Sequence, residues 1–178
     1  MFKKIILSTI LSSFAFSNDY SLSFDGMDDY VSIASNSSLD IIDELTISAT
    51  IKANDYLCAS IVDRLPGTIE SSGYRLNLRG YCANIGEVWS QIGNASAGDV
   101  ATSDGNGYQS GEWITIAGVY KNSEYTKLYI NGVLIQTTAT NYSFNTSRPL
   151  EFARMGWANN GNGDEYFARA SSKFTFDF

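Results

Sequence analysis

From Trp113 to Gln136 two apolar-rich stretches, Trp113–Tyr120 and Lys127–Gln136, flank a polar turn at Lys121–Thr126, and their side chains sort onto two faces as in strands. A period of two is that of a β-strand, whose successive side chains leave on opposite faces. Asn131-Gly132 divides the second stretch, and this dipeptide tolerates positive φ at both positions, as a two-residue type I′ hairpin requires. With Ile130 opposite Val133, regular pairing sets Leu128 opposite Ile135. These four then share one face, while Lys127, Tyr129, Leu134 and Gln136 take the other. Over Trp113–Tyr120 the residues Trp113, Ala117 and Val119 alternate with Ile114, Ile116 and Tyr120, so both faces are apolar. That pattern predicts a central strand covered on both sides, with Trp113 in the core.

Further strands are predicted at Tyr20–Phe24, Tyr30–Ile33, Leu45–Ala53, Ala59–Leu65, Tyr74–Leu78, Ile85–Ile92 and Pro149–Trp157, with Ala95–Gly111 read as loop. Leu45–Ala53 alternates Leu, Ile, Ala, Ile with Thr, Ser, Thr, Lys, the signature of a half-buried strand. No stretch carries a helical period. Strands recurring at roughly ten-residue intervals predict an all-β fold, a two-sheet antiparallel β-sandwich (jelly roll) with almost no helix.

Residues 1–17 change the picture at the start of the chain. Lys3 and Lys4 precede an apolar run that ends in Ala15-x-Ser17, which reads as a secretory signal peptide and predicts a secreted or periplasmic single domain over residues 18–178. No cysteine directly follows the cleavage point, and no later apolar run is long enough to span a bilayer. Loss of the two lysines takes the formal charge from −7 to −9. So acidic a surface argues against nucleic acid as a partner and is compatible with neutral glycans or cations. Cys58 and Cys82 would meet an oxidising compartment. Antiparallel pairing of the strands about the Pro66–Gly73 loop brings their positions together, so a disulfide is expected.

The run Gly111–Tyr120 (GEWITIAGVY) followed by Lys127–Ile135 (KLYINGVLI) resembles the laminin G-like and pentraxin-like jelly-roll domains of the concanavalin A-like lectin/glucanase superfamily. Leu22–Ile33 (LSFDGMDDYVSI) and Leu39–Lys52 (LDIIDELTISATIK) fit the same family in the same order. The chain departs from it in lacking a Trp near Thr50 and in its C-terminus. The family ends on a strand of the form Phe-x-Gly-x-Ile-Asp-Glu-Val-x-Ile, whereas here Lys173–Phe178 alternates three phenylalanines and predicts a substitute closing strand against Ser21–Phe24.

The chain contains no histidine, which removes the commonest general base and most zinc sites. Glycosidases that the family resemblance brings to mind carry Glu-x-Asp-x-x-Glu on one strand, and none of the seven glutamates here is followed two places on by Asp. Asp40, Asp43 and Glu44 read as a solvated turn. No catalytic residue is assigned. For a metal, Ca²⁺ is the candidate: Asp25, Asp28 and Asp29 cluster in the first turn, and Asp164 and Glu165 close a late loop that neighbours that turn in resembling domains. These are the oxygen donors calcium takes, although the spacing is not that of an EF-hand.

Glycan binding calls for exposed aromatic rings beside amides and carboxylates. Trp89, Tyr108 and Trp157 are the candidate rings, with Asp104, Asn106, Asn159 and Asn160 as polar companions. Arg75, Arg79 and Arg154 suit an acidic sugar or are ordinary strand-surface charges. Three readings follow. The first is a secreted non-catalytic domain binding a glycan or cell-surface glycoconjugate; the second is an adhesive sandwich that contacts a protein through an apolar or flat patch. The third is a truncated glycoside hydrolase-related fragment, which needs two facing carboxylates.

Overall fold

The computed structural model describes residues 22–24, 29–40, 43–56, 58–66, 71–79, 84–94, 97–144, 146–155, 165–166 and 170–173. The leader, Asp25, Asp28, Cys82, Trp157, Asn159, Asn160, Asp164 and the three C-terminal phenylalanines lie outside them. Among the described residues fourteen strands follow one another: β1 (Leu22–Phe24), β2 (Val31–Ile33), β3 (Glu44–Ala53), β4 (Cys58–Asp63), β5 (Gly73–Arg79), β6 (Val88–Gly93) and β7 (Gly98–Thr102). Then come β8 (Trp113–Lys121), β9 (Tyr125–Ile130), β10 (Val133–Ala139), β11 (Leu150–Phe152), β12 (Arg154–Met155), β13 (Glu165–Tyr166) and β14 (Ala170–Lys173). The described helix is one 3₁₀ turn, Ser37–Leu39, capped by the Asn36 side chain. Among the described residues no helix is long and apolar enough to cross a membrane.

The strands form a two-sheet antiparallel jelly roll. The first sheet runs β1-β14-β3-β8-β9-β10 and the second β2-β11-β4-β5-β6-β7, while β12 and β13 make a small ribbon beside β4. Between the sheets Ile51, Ile116 and Leu128 of the first meet Ile61, Leu76, Leu78 and Ile92 of the second, all buried. Each such side chain contributes about 1.5–3 kcal/mol through removal from water. Tyr120 bridges the layers: it is fully buried, its hydroxyl donates to the Arg75 carbonyl at 2.8 Å, and its ring lies 5.4 Å from that of Tyr74. Burial raises its phenol well above the ordinary value of 10.0, so it stays a neutral donor.

The central hairpin forms as its sequence predicts, with Asn131 at φ 49° and Gly132 at φ 79° and Val133 opposite Ile130. Its register then changes. A β-bulge between Leu134 and Gln136 sets Leu128 opposite Gln136 and not Ile135, because the extra residue of a bulge shifts every later pair. Val133, Leu134 and Ile135 are consequently exposed on an edge strand. Strand β8 is central, between β3 and β9, but only one of its faces is covered. Ile114, Ile116 and Tyr120 point inward, whereas Trp113 is 52% exposed on the outer face and is not core.

Other boundaries differ from the sequence reading for identifiable reasons. The loop predicted at Ala95–Gly111 contains β7, whose Gly-Asp-Val-Ala-Thr carries too little alternation to announce itself. The strand predicted at Pro149–Trp157 is broken at Ala153, which is buried at φ 63° and donates its N–H to the Ile61 carbonyl. Among the described residues the strand that pairs with β1 is Ala170–Lys173, set between β1 and β3, and the expected strand over Lys173–Phe178 lies, beyond Lys173, outside them. Asp40 is not merely a solvated turn residue: it takes Arg64 Nη2 at 2.9 Å. The buried Arg64 also donates Nε to the Arg148 carbonyl at 3.1 Å and Nη1 to the Leu39 carbonyl, joining the approach to β3 to the approach to β11.

Where β4 leaves for its loop and β5 returns, the chain passes so close to itself that a Cβ at Gly73 would overlap the Arg64 carbonyl oxygen. Backbone cannot retreat there, since the Arg64 N–H is bonded to the Tyr74 carbonyl at 3.0 Å. Gly73→Ala is therefore expected to destabilise by about 3 kcal/mol, at the upper end of overpacking costs. Urea denaturation checks it, and a change below about 1 kcal/mol would mean that the approach relaxes freely.

Candidate functional site

The outer faces of the two sheets differ in chemistry. That of the first sheet is floored by small residues: Ser48 pairs with Ala117, and Thr50 with Thr115, their hydroxyls 2.9 Å apart. Tyr129 borders them, and the whole forms an open depression of about 310 Å³. On the same face of β3, two residues before Thr46, Glu44 accepts the Tyr125 hydroxyl at 2.6 Å and so pushes that phenol up to about 12, with Lys127 Nζ 4.0 Å from the Tyr125 ring centre.

The outer face of the second sheet is polar and closed. Strand β5 sends Tyr74, Leu76 and Leu78 into the core, so Arg75, Asn77 and Arg79 project outward. Register then builds two rows across the sheet. Asp63, Arg75, Gln91 and Val100 form one; Ser60, Asn77, Trp89 and Thr102 form the next, with Arg79 beyond it opposite Cys58. In the first row Arg75 Nη2 donates to Gln91 Oε1 at 2.9 Å, and Asp63 accepts the Leu65 N–H at 2.7 Å. Burial raises the Asp63 carboxyl above its ordinary value of 3.8, and the Arg75 and Arg148 charges offset part of that. Glu151, opposite Asp63 on β11, takes Arg148 at 3.3 Å.

The second row is unlike the first. Asn77 is fully buried, and among the described residues neither its amide nitrogen nor its amide oxygen has a hydrogen-bond partner. Trp89 Nε1 and Arg79 Nε are buried and, among the described residues, unpartnered as well. The Arg79 guanidinium lies over the Trp89 ring at 4.4 Å from its centre. Leaving a buried polar group unmade costs about 1–3 kcal/mol, so four such atoms side by side mark a place where the fold keeps unused hydrogen-bonding capacity.

Of the residues singled out in the sequence, Trp89 belongs to this face. Asp104 and Asn106 flank its end: Asp104 donates its N–H to Thr102 Oγ1 at 3.1 Å, directly beyond the residue opposite Trp89, and Asn106 donates to the Ile85 carbonyl at 3.1 Å. Both are exposed in left-handed turn conformations. Tyr108 is corrected: it is 2% exposed, packed on Tyr56 at 5.6 Å, and cannot serve as a sugar platform because its ring fills the core. Trp157, Asn159 and Asn160 lie outside the described residues. So do three of the five calcium candidates; Asp29 is exposed before β2, and Glu165 sits on β13 opposite Met155. Among the described residues no three acidic, His or Cys side chains gather as a metal site. Cys58 is buried at the start of β4 opposite Arg79, Cys82 lies outside the described residues, and no described cysteine is free. The sequence reading missed Asn77. Its Arg-Leu-Asn-Leu-Arg alternation was visible as a strand, but which parity faced inward was not.

A laminin G family model, described as the concanavalin A-like lectin/glucanases superfamily, matches residues 25–170. No curated protein sequence matches the chain. Among solved structures, domains LG4-5 of the mouse laminin alpha1 chain align with TM-score 0.58 and 13% identity over 87% of this chain and 42% of that one. The native heptameric SAP-like pentraxin from Limulus polyphemus aligns at 0.54 and 14%, over 84% and 70%. A botulinum neurotoxin type C structure, reported with cell entry dependent on two ganglioside molecules, aligns at 0.54 and 18%, over 74% and 33%. The chain thus spans about a third to two-fifths of the neurotoxin and laminin structures it matches. At these identities the likeness shows the fold.

Proposed function

The chain belongs to the concanavalin A-like lectin/glucanase superfamily, and from that premise we propose that it is a secreted, non-catalytic domain that binds a carbohydrate or glycoconjugate on the outer face of its second sheet. The observation that carries this reading is the set of unpartnered buried atoms at Asn77, Arg79 and Trp89. A sugar offers an apolar ring face for the half-buried Trp89 and hydroxyls for the half-buried Arg79 beside it, the two side chains of this row that keep exposed surface while the Asn77 amide is fully buried. Neighbouring proteins lend support, since one is reported with gangliosides.

The test is a glycan array followed by titration of tryptophan fluorescence. Trp89→Ala is expected to weaken the best hit by about tenfold or more, the loss typical of a central aromatic contact. Undiminished affinity in a folded variant would move the site elsewhere.

A protein partner is the second reading. It is favoured by exposed apolar side chains on the first sheet, Trp113 on the outer face of β8 and Val133, Leu134 and Ile135 on the edge strand β10, since exposed apolar surface marks contact sites. Calcium bound between the 25–29 turn and the 159–165 loop remains part of the proposal. It would raise the unfolding midpoint of the mature chain over that in chelator by mass action, and an unchanged midpoint at millimolar calcium would remove the metal. Export through the residue 1–17 leader and a Cys58–Cys82 disulfide complete the reading.

A further inference from the structure

We propose that the open edge of the first sheet, strand β10, pairs antiparallel with β10 of a second copy of this chain, so that a twofold axis joins the two first sheets into one. The inference stands apart from the glycan reading, which uses the other sheet, and it names an occupant for the exposed strand. Three observations lead to it.

The first is that β10 is bare where the other edges are protected. Among the described residues the two sheets end on β1 and β10, and on β2 and β7. Strands β1 and β2 are three residues long, and so short an edge gives another strand little to bond. Strand β7 is closed by side chains of β10: the Thr102 N–H donates to Gln136 Oε1 at 2.5 Å, and the Val100 carbonyl accepts from Thr138 Oγ1 at 2.9 Å. No described strand or side chain does the same for β10. Its seven residues, Val-Leu-Ile-Gln-Thr-Thr-Ala, hold neither a charge nor a proline, the residues that ordinarily keep edges apart.

The second is the row of backbone groups that this edge presents. The Thr140 N–H bonds the Glu124 carbonyl at 3.0 Å, and Ala139, Thr138 and Thr137 stand opposite Tyr125, Thr126 and Lys127. Antiparallel pairs alternate between bonding each other and turning N–H and C=O away, so Ala139 and Thr137 turn theirs to the open side. Counted from Ile130–Val133, the pair that closes the turn, Leu134 does likewise. The bulge between Leu134 and Gln136 leaves Gln136–Ala139 as the regular run for main-chain pairing. Before it, Val133, Leu134 and Ile135 are 62, 48 and 42% exposed, an apolar tip that packs beside that run.

The third is charge, which selects a second copy as the occupant. Residues 128–147 contain no charged residue, the longest such run in a chain of formal charge −7. Copies of so acidic a protein repel wherever their charges meet, so they approach best on the uncharged strand. A partner selected by charge would be drawn elsewhere. In a twofold contact each copy also supplies the strand that the other lacks, and both bare edges are closed at once. Pairing over one strand buries less than the roughly 800 Å² per partner of a standard interface, so a dissociation constant on the order of 10–100 μM is expected.

Sedimentation velocity of the full mature chain from about 5 to 500 μM spans that range; it should show monomer passing to dimer and no larger species. Amide hydrogen exchange followed by NMR should slow by about fivefold or more at Leu134, Thr137 and Ala139 on going from dilute to concentrated protein. Gln136 and Thr138, whose amides face β9, should not respond. Leu134→Lys puts a charge on the edge, and Thr137→Pro removes one open N–H without touching the ladder to β9. Each is expected to weaken association by about tenfold or more, with thermal unfolding within a few degrees of the parent. Trp113→Ala, on the outer face of β8, should leave association unchanged. A chain that stays monomeric at the highest concentration, or a dimer that survives both edge variants, would overturn the inference. So would a dimer lost in Trp113→Ala, which would move the contact to the face of the sheet, or growth past the dimer, which would remove the twofold. Each of these outcomes leaves the glycan reading to its own titration.

Discussion

Asn77→Leu is expected to make the chain more stable by about 1–3 kcal/mol and to abolish ligand binding. The gain follows from an imbalance in how hydrogen bonds contribute. A buried amide that bonds nothing retains its full desolvation cost, whereas an apolar side chain of similar volume has none to retain. Asn77 is fully buried with both amide atoms unpartnered, between Ser60 on β4 and Trp89 on β6. Leucine has the same branched outline and the same number of heavy atoms, so no cavity opens, and its bulkier methyls take back part of the gain as overpacking. The same substitution removes the one acceptor and one of the donors of the orphan set. Urea denaturation and glycan titration on one preparation read both effects. A variant less stable than the parent by more than about 1 kcal/mol would mean that the amide is part of the fold's own hydrogen bonding. Gain of stability with unchanged affinity would keep the physical account of Asn77 and take the ligand off this face. Positions where local chemistry is worse than it need be, and a simple swap improves it, are where function is expected to have set the residue.

The proposed Cys58–Cys82 bridge is expected to contribute about 3 kcal/mol, the figure for closing a loop of this length in the unfolded ensemble. For a domain of this size its loss is a fall in midpoint of roughly 6–12 °C. Cys58 opens β4 opposite Arg79, and Cys82 follows Arg79 by three residues, so a bridge would close the open end of the β4–β5 hairpin. The stakes are higher than a surface staple, because that end holds Arg79 against Trp89. Cys58→Ser with Cys82→Ser, and the parent in reductant, should fall together in a thermal scan. Labelling of two thiols in the unreduced native protein would show that no bridge forms. A bridge that forms yet adds less than 1 kcal/mol would place the hairpin's order in its strand pairing instead.

Much of the architecture was legible because it depends on local chemistry. Asn131-Gly132 dictates a type I′ hairpin whatever surrounds it, and the alternation of Leu45–Ala53 appears unchanged in the burial of β3. The candidate site was legible in part. Trp89 stood out as an aromatic on a strand, and Arg75 and Arg79 as charges suited to an acidic sugar, but Tyr108 was indistinguishable from an exposed ring. Its flanking Gly-Asn-Gly predicts a loop, and nothing local says that Gly86 and Ile85 receive that loop and turn Tyr108 under Tyr56. The error at Trp113 has the same origin. Apolar residues at both parities of β8 mark a central strand, yet centrality within a sheet does not bring a cover for its outer face.

What the sequence determined by itself was period and punctuation: strand positions within a few residues, the hairpin turn, and the all-β class, since these follow from φ preferences and side-chain alternation along neighbouring residues. The tertiary structure decided register and facing. A single bulge at Leu134–Gln136 moved Leu128 from Ile135 to Gln136, and the choice of which parity of β5 meets the core put Arg75, Asn77 and Arg79 side by side with Trp89. Both are set by pairing between segments far apart in the chain, whose energies the local pattern does not contain.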